Sequence, residues 1–130
     1  MPRPLASKSV AAASDTDSAV VLTRAVLRAS RFLGLTQKQL AAVLGVSEAS
    51  VSRLDRGRSI EPATKEGEIA ILFLRMWRSL DTLVGGDDAQ ARSWMHASNT
   101  HLGGVPSYLI QNLTGIVRVA EYLDAMRGKL

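Results

Sequence analysis

The sequence predicts an all-α fold on three observations. Two short helical runs meet at Gly45, a long amphipathic stretch covers about 65 to 84, and Ile116, Val119, Ala120 and Leu123 form a closing stripe. In each, apolar residues recur at three- and four-residue intervals, the spacing that lines one face of a helix. A length of 130 residues allows one compact domain or two small ones sharing a core, and a hydrophobic fraction of 46% suffices to fill it. The absence of cysteine excludes disulfides, thiolate metal sites and cysteine nucleophiles, which fits a reducing cytosol. No apolar run approaches the roughly 18 residues of a membrane span, and the start Met-Pro-Arg-Pro-Leu-Ala-Ser-Lys lacks a hydrophobic signal core. The expected location is the cytoplasm, away from membranes.

Residues 1–17, rich in Ala, Ser and Pro, carry no period and are expected to form a flexible arm. A helix should follow over about 18 to 33. Leu22, Ala25, Val26, Ala29 and Leu33 share one face, while Arg24, Arg28 and Arg31 gather on the other. Those arginines read as a solvated surface, with contact to a DNA backbone or an acidic partner as the alternative. Val20 and Leu27 lie near the basic side and hint at cover there.

Next, Thr36 with Gln39 makes a capping box for a helix over about 37 to 44, with Leu40, Val43 and Leu44 buried. Gly45 ends it where a left-handed residue is needed. Val46 plugs the angle and Ser47 caps a second short helix. Val51 and Leu54 point inward, which turns Ala49, Ser52, Arg53 and Arg56 outward. Gly57 stops this helix, and Arg58 follows near where a phosphate would pass. Two helices joined in this way are a helix-turn-helix, and its outward polar and basic face suits a major groove. The charge agrees: through Ile60 there are nine Lys or Arg against four Asp or Glu, whereas from Glu61 onward there are seven against eight. A basic module of this kind is the footprint expected for a polyanion. The DNA-binding region is therefore residues 18–60.

From about Lys65 to Val84 a long helix carries Ile69, Leu72, Phe73, Met76, Leu80 and Leu83 on one stripe, with Ile71 and Leu74 on another side. The second side is expected to pack under the carboxyl-terminal helices or against a symmetry mate. Gly85-Gly86 ends this spine, and Asp87 with Gln90 caps a short helix. Trp94 is expected to anchor a small core, Gly103-Gly104 to permit a tight reversal, and Pro106 to open the next helix. Residues 61–130 thus make up the spine and a second helical module.

Residues 35–62 resemble the lambda-repressor and Cro type of helix-turn-helix, with the Thr36-Gln37 opening, Gly45 at the turn, and Leu54-x-x-Gly57-Arg58 closing before Pro62. The resemblance implies phosphate contacts from Gln37, Ser50 and Arg58 and base-edge contacts from Glu48, Ala49 and Arg53. With the outward residues Ser52 and Arg56 and the cap Ser47, these form the candidate DNA-binding set. Glu48 and Ala49 depart from the long amides common there. A carboxylate at Glu48 suits a cytosine amino group and Arg53 suits a guanine.

The later segment resembles the carboxyl-terminal toxin-binding domain of Xre-type antitoxins, the ParS and MbcA group. Trp94, Asn99, Leu102, Gly103, Gly104, Pro106 and Gly115 match its pattern in order, with Met95 and Ser98 as mild departures. The resemblance implies an antitoxin that covers the NAD site of a RES-domain toxin with this domain and represses its own operon through the helix-turn-helix. The toxin either degrades NAD or transfers ADP-ribose to a target. Candidate toxin contacts are Asn99, Thr100, His101, Leu102, Gly103, Gly104 and Pro106 in the loop, and Arg127, Lys129 and Leu130 at the end. A purely structural reversal is the alternative for the loop, with Asn99 and Thr100 favoured as contacts.

The expected partners are a RES toxin, operator DNA and a second copy of the chain. No cofactor, metal or enzymatic role is expected. His96 and His101 are five apart and do not stack on one helix face, and Asp87 and Asp88 read as caps rather than catalytic carboxylates. The competing function is a stand-alone repressor whose carboxyl-terminal half dimerises or senses an effector.

Overall fold

In the computed structural model the backbone is described from Arg3 and the side chains from Asp17. The order is α1 (Arg3–Leu33), α2 (Gln37–Leu44), α3 (Glu48–Ser52), a 3-10 turn (Arg53–Arg56), α4 (Lys65–Leu83), α5 (Asp88–His96), α6 (Pro106–Leu109) and α7 (Leu113–Arg127). The described residues form an all-α fold in which a helix-turn-helix unit precedes a helical carboxyl-terminal unit, and they contain no strand. Helix α1 begins upstream of the start near residue 18 expected from periodicity. After Pro4 no proline or glycine interrupts the chain before Gly34, and the alanines between favour helix. Except for Asp17, the side chains of the arm expected over residues 1–17 lie outside the described residues.

Helix α1 ends at Gly34, whose φ of +69° is open to glycine and costly for other residues. Most of its stripe is buried as the periodicity requires, with Val26, Ala29 and Leu33 fully enclosed and Leu22 nearly so, while Ala25 is half-buried. Arg24, Arg28 and Arg31 stand exposed on the opposite side, and Arg31 reaches Asp55 at 3.4 Å. Val20 and Leu27, on the basic flank, are half-buried. Thr23 ties this helix to the later chain: its hydroxyl donates to the Ala19 carbonyl at 2.7 Å and accepts the Ile60 amide at 2.8 Å. Ile60 is thereby drawn fully into the core.

Helix α4 is the spine. Phe73, Met76 and Leu80 are its buried centre, joined by Ala70 and Ser79, and it packs on α1, α2, α5 and α7. Ile69, Leu72 and Leu83, placed on the stripe by periodicity, are only half-buried. Gly67 lies inside its first turn because the Glu61 and Pro62 carbonyls leave no room for a Cβ. Leu74 is half-buried, but Ile71 stays 52% exposed. Helix α7 lies against α4, with Ile116, Val119, Ala120 and Leu123 buried as their spacing predicts.

A polar clasp fastens these two helices. The Asp124 carboxylate accepts from the buried Ser79 hydroxyl at 2.6 Å and from Arg75 Nε at 2.7 Å. The Ser79 hydrogen bond holds the Asp124 carboxyl below its usual range, and Arg75 adds to this against the opposing pull of burial.

Candidate functional site

Helices α2 and α3 form as their local chemistry requires. The Thr36 hydroxyl accepts the Gln39 amide at 3.1 Å while the Gln39 side chain accepts the Thr36 amide at 3.0 Å, a closed capping box. Gly45, at φ +71°, turns the chain, and the Ser47 hydroxyl accepts the Ser50 amide at 3.1 Å. Leu40, Val43, Leu44, Val51 and Leu54 fix the angle between the helices from inside. One feature differs from the expected second helix: its α-helical part stops at Ser52 and tightens to 3-10 over Arg53–Arg56. Gly57, at φ +103°, then ends the turn.

The outer face carries Gln37, Glu48, Ala49, Arg53 and Arg56, all exposed, with Ser52 half-buried at its edge. Ala49, Arg53 and Arg56 follow a four- and three-residue spacing opposite Val51 and Leu54, so they project from one side. Among the described residues neither Arg53 nor Arg56 joins an ion pair, which leaves both guanidinium groups available to an anion. Gln37 shares a small cleft with Arg31, Val51 and Asp55, which puts the start of α2 beside the end of the reading segment. Ser47 and Ser50 are occupied locally: the Ser47 hydroxyl caps α3 and donates to Ser50 Oγ at 3.1 Å.

Arg58 is placed differently from the free phosphate contact expected. Its guanidinium forks onto Glu66 at 2.9 and 2.8 Å, and its Nε donates to the Ser50 carbonyl at 2.9 Å. Both side chains are largely covered, and the Glu66 contact raises the Arg58 pKa further. Arg58 therefore staples the recognition segment to the first turn of α4. The partner lies eight residues away across the Pro62 loop, which no periodicity reveals.

In the carboxyl-terminal module the loop between α5 and α6 is organised by Asn99. Its backbone exchanges hydrogen bonds with Gly104, its carbonyl also accepts the Gly103 amide at 2.8 Å, and its side-chain oxygen accepts the Leu102 amide at 3.1 Å. Gly103 needs its φ of +75°. Three candidate contacts thus have structural positions: Asn99 spends its side-chain acceptor on the turn, Leu102 is 2% exposed in the core, and Pro106 is buried at the start of α6. Thr100, His101 and Gly103 remain on the surface, with Gly104 half-covered beside Leu109.

His101 lies over Tyr122, ring centres 6.1 Å apart, and Tyr122 lies over Trp94 at 6.4 Å, a column of three rings. Trp94 is only half-buried and packs on the edge of the core, whose α5 members are Ala91 and Met95. His96 is directed elsewhere, with Nε2 3.0 Å from the Leu33 carbonyl. At the chain end Arg127, Lys129 and Leu130 are exposed.

Two apolar side chains of this module stand well exposed where the sequence pattern does not single them out. Tyr108 is 66% and Leu113 62% exposed, at the corner where α6 gives way to α7. Leu113 shares the phase of buried Ile116 and Ala120, so periodicity places it inside. It stands bare on the first turn, where Asn112 caps the helix and accepts the Gly115 amide at 2.8 Å. Gly115 sits within that turn because the Leu109 carbonyl occupies the space of a Cβ.

Among the described residues no group of three or more His, Asp or Glu is placed to hold a metal, and no helix is long and apolar enough to cross a membrane.

Comparison with known proteins agrees with both modules. Residues 12–75 match the family described as the antitoxin Xre-like helix-turn-helix domain, and residues 79–129 match the antitoxin Xre/MbcA/ParS carboxyl-terminal toxin-binding domain. Neither is a family of enzymes. No curated protein matches the chain. With both halves accounted for in this order, the chain belongs to the Xre-type antitoxins, a DNA-binding helix-turn-helix joined to a toxin-binding domain.

Proposed function

We propose that this antitoxin neutralises a RES-domain toxin that consumes NAD, by covering the toxin's active site with residues 79–129, and that as a cytoplasmic homodimer it represses its own operon. One observation carries the reading: a DNA-facing basic module and a toxin-binding module share one core through α4, so both surfaces belong to one body. On the DNA side the proposed contacts are Gln37, Glu48, Ala49, Ser52, Arg53 and Arg56, with the amino-terminal turn of α3 near a phosphate. Arg58 acts indirectly by holding α3 in place.

On the toxin side the proposed contacts are Thr100, His101, the chain end from Arg127, and the corner formed by Tyr108 and Leu113. The corner is included because Leu113, in phase yet bare, and the exposed Tyr108 make the kind of apolar surface a partner covers. An aromatic and an aliphatic anchor with an arginine-bearing tail suit a cleft with apolar walls and anionic-ligand chemistry, as an NAD site has. Co-expression with a neighbouring RES-type reading frame tests the reading. A stable complex that retains the promoter supports it, and two proteins that elute separately contradict it.

A further inference from the structure

Helix α4 with its cap Thr64 carries an outward stripe at Thr64, Glu68, Ile71, Arg75, Arg78 and Thr82, every one of them exposed. Successive members are four, three, four, three and four residues apart. Such a 3-4 spacing keeps a line of side chains on one side of a helix and is the repeat by which two helices pack along their length. The stripe is also symmetric about position 73: Thr64 answers Thr82, Glu68 answers Arg78, and Ile71 answers Arg75.

The geometry points to this stripe as an antiparallel interface with a second copy of the chain. This assignment rests on the reading of the protein as a homodimer and adds the surface and its register. Laid antiparallel about a two-fold axis at position 73, each Glu68 meets the other copy's Arg78, and the contact occurs twice because a two-fold interface repeats every pair. At the centre Ile71, 52% exposed, packs on the aliphatic stem of the facing Arg75, with Leu74 beside it.

A parallel arrangement sets Glu68 on Glu68, Arg75 on Arg75 and Arg78 on Arg78, so repulsion selects the antiparallel one. The side chains are free for it. Arg78 joins no ion pair among the described residues, and Glu68 has only a solvent-exposed contact to Lys65 at 3.3 Å. Arg75 is held by Asp124 through its head, which leaves its stem to form the floor. Along the same flank a groove of about 500 Å³, lined by Ile71, Leu74, Arg75, Arg78 and Arg127, gives the second helix room to settle.

Sedimentation equilibrium of the full chain tests this, with Glu68→Arg, Arg78→Glu and the double variant, and far-ultraviolet dichroism as the check on folding. The wild-type protein is expected to dimerise, each single reversal to weaken the dimer by about tenfold or more, and the double reversal to return it to within about threefold. A wild-type monomer at every concentration overturns the homodimer reading and this interface together. A dimer indifferent to all three variants overturns the interface and leaves the homodimer reading standing. Weakening by both single changes without recovery in the double overturns the antiparallel register.

Discussion

Two arginines five positions apart have opposite fates. Arg53 is exposed and unpaired among the described residues, whereas Arg58 is forked onto Glu66 and bound to the Ser50 carbonyl. Arg53→Ala should therefore leave thermal stability unchanged and weaken operator binding by about 1 to 3 kcal/mol, with relaxed preference at one base pair, as a band-shift series would read. Arg58→Ala should do the reverse first. It strands a mostly covered carboxylate and should cost about 1 to 3 kcal/mol in denaturant unfolding, with lost DNA affinity only as a consequence of a loosened α3. Arg58→Lys, which keeps the charge and lacks the fork, should recover part of that loss.

The limits of the sequence show at this scale as well. Caps with partners three residues away were legible: Thr36 with Gln39, Ser47 before α3, and Asp87 with Gln90. Arg58 reads as a free phosphate contact because its charge alone suits one, and only the folded loop brings Glu66 to it. The turn that the Asn99 side chain closes leaves no periodic trace, so its structural role is not legible from spacing.

Between elements, stripes of buried residues were readable on α1, α2 and α7, since periodicity directly encodes which face is covered. What periodicity omits is where a core ends. Leu113 is in phase and bare, and the recognition segment tightens to 3-10 over Arg53–Arg56 ahead of Gly57, which spacing does not encode. The clasp between α4 and α7 joins Ser79 and Asp124, 45 residues apart, and was equally invisible.

That clasp has a pH signature. Because the folded-state pKa of Asp124 lies below its unfolded value, its contribution is fully present above the unfolded value and is lost as pH falls through the folded one. Asp124→Asn should destabilise the chain near neutrality by about 1 to 3 kcal/mol. It should also lose less stability than the wild type on acidification below the usual carboxylate range. Urea unfolding at neutral and acid pH measures both, and equal acid losses in the two proteins would remove Asp124 as the source.

At the level of the molecule, α4 binds the two family-matched halves into one core, and function was more legible than contact residues. The helix-turn-helix and the Trp94 to Gly115 pattern identify the two modules, whereas several of the residues that carry the pattern turn out to build the domain. Leu102 and Pro106 are buried, and Gly103 and Gly115 serve backbone geometry. The proposed toxin surface therefore rests on what is left outside. Leu113→Ser and Tyr108→Ser should each lower affinity for the toxin by about tenfold or more with unchanged helicity, and deletion of residues 127–130 should impair neutralisation with the fold intact. Isothermal titration distinguishes the corner from the tail, since a surface that plays no part returns wild-type affinity.

The most direct test of the central claim is cellular NAD during induction of the neighbouring RES-type gene, with and without this chain. Preserved NAD in its presence and depletion in its absence is the expected result. NAD falling to the same level in both cultures, with the antitoxin folded and abundant, would contradict it.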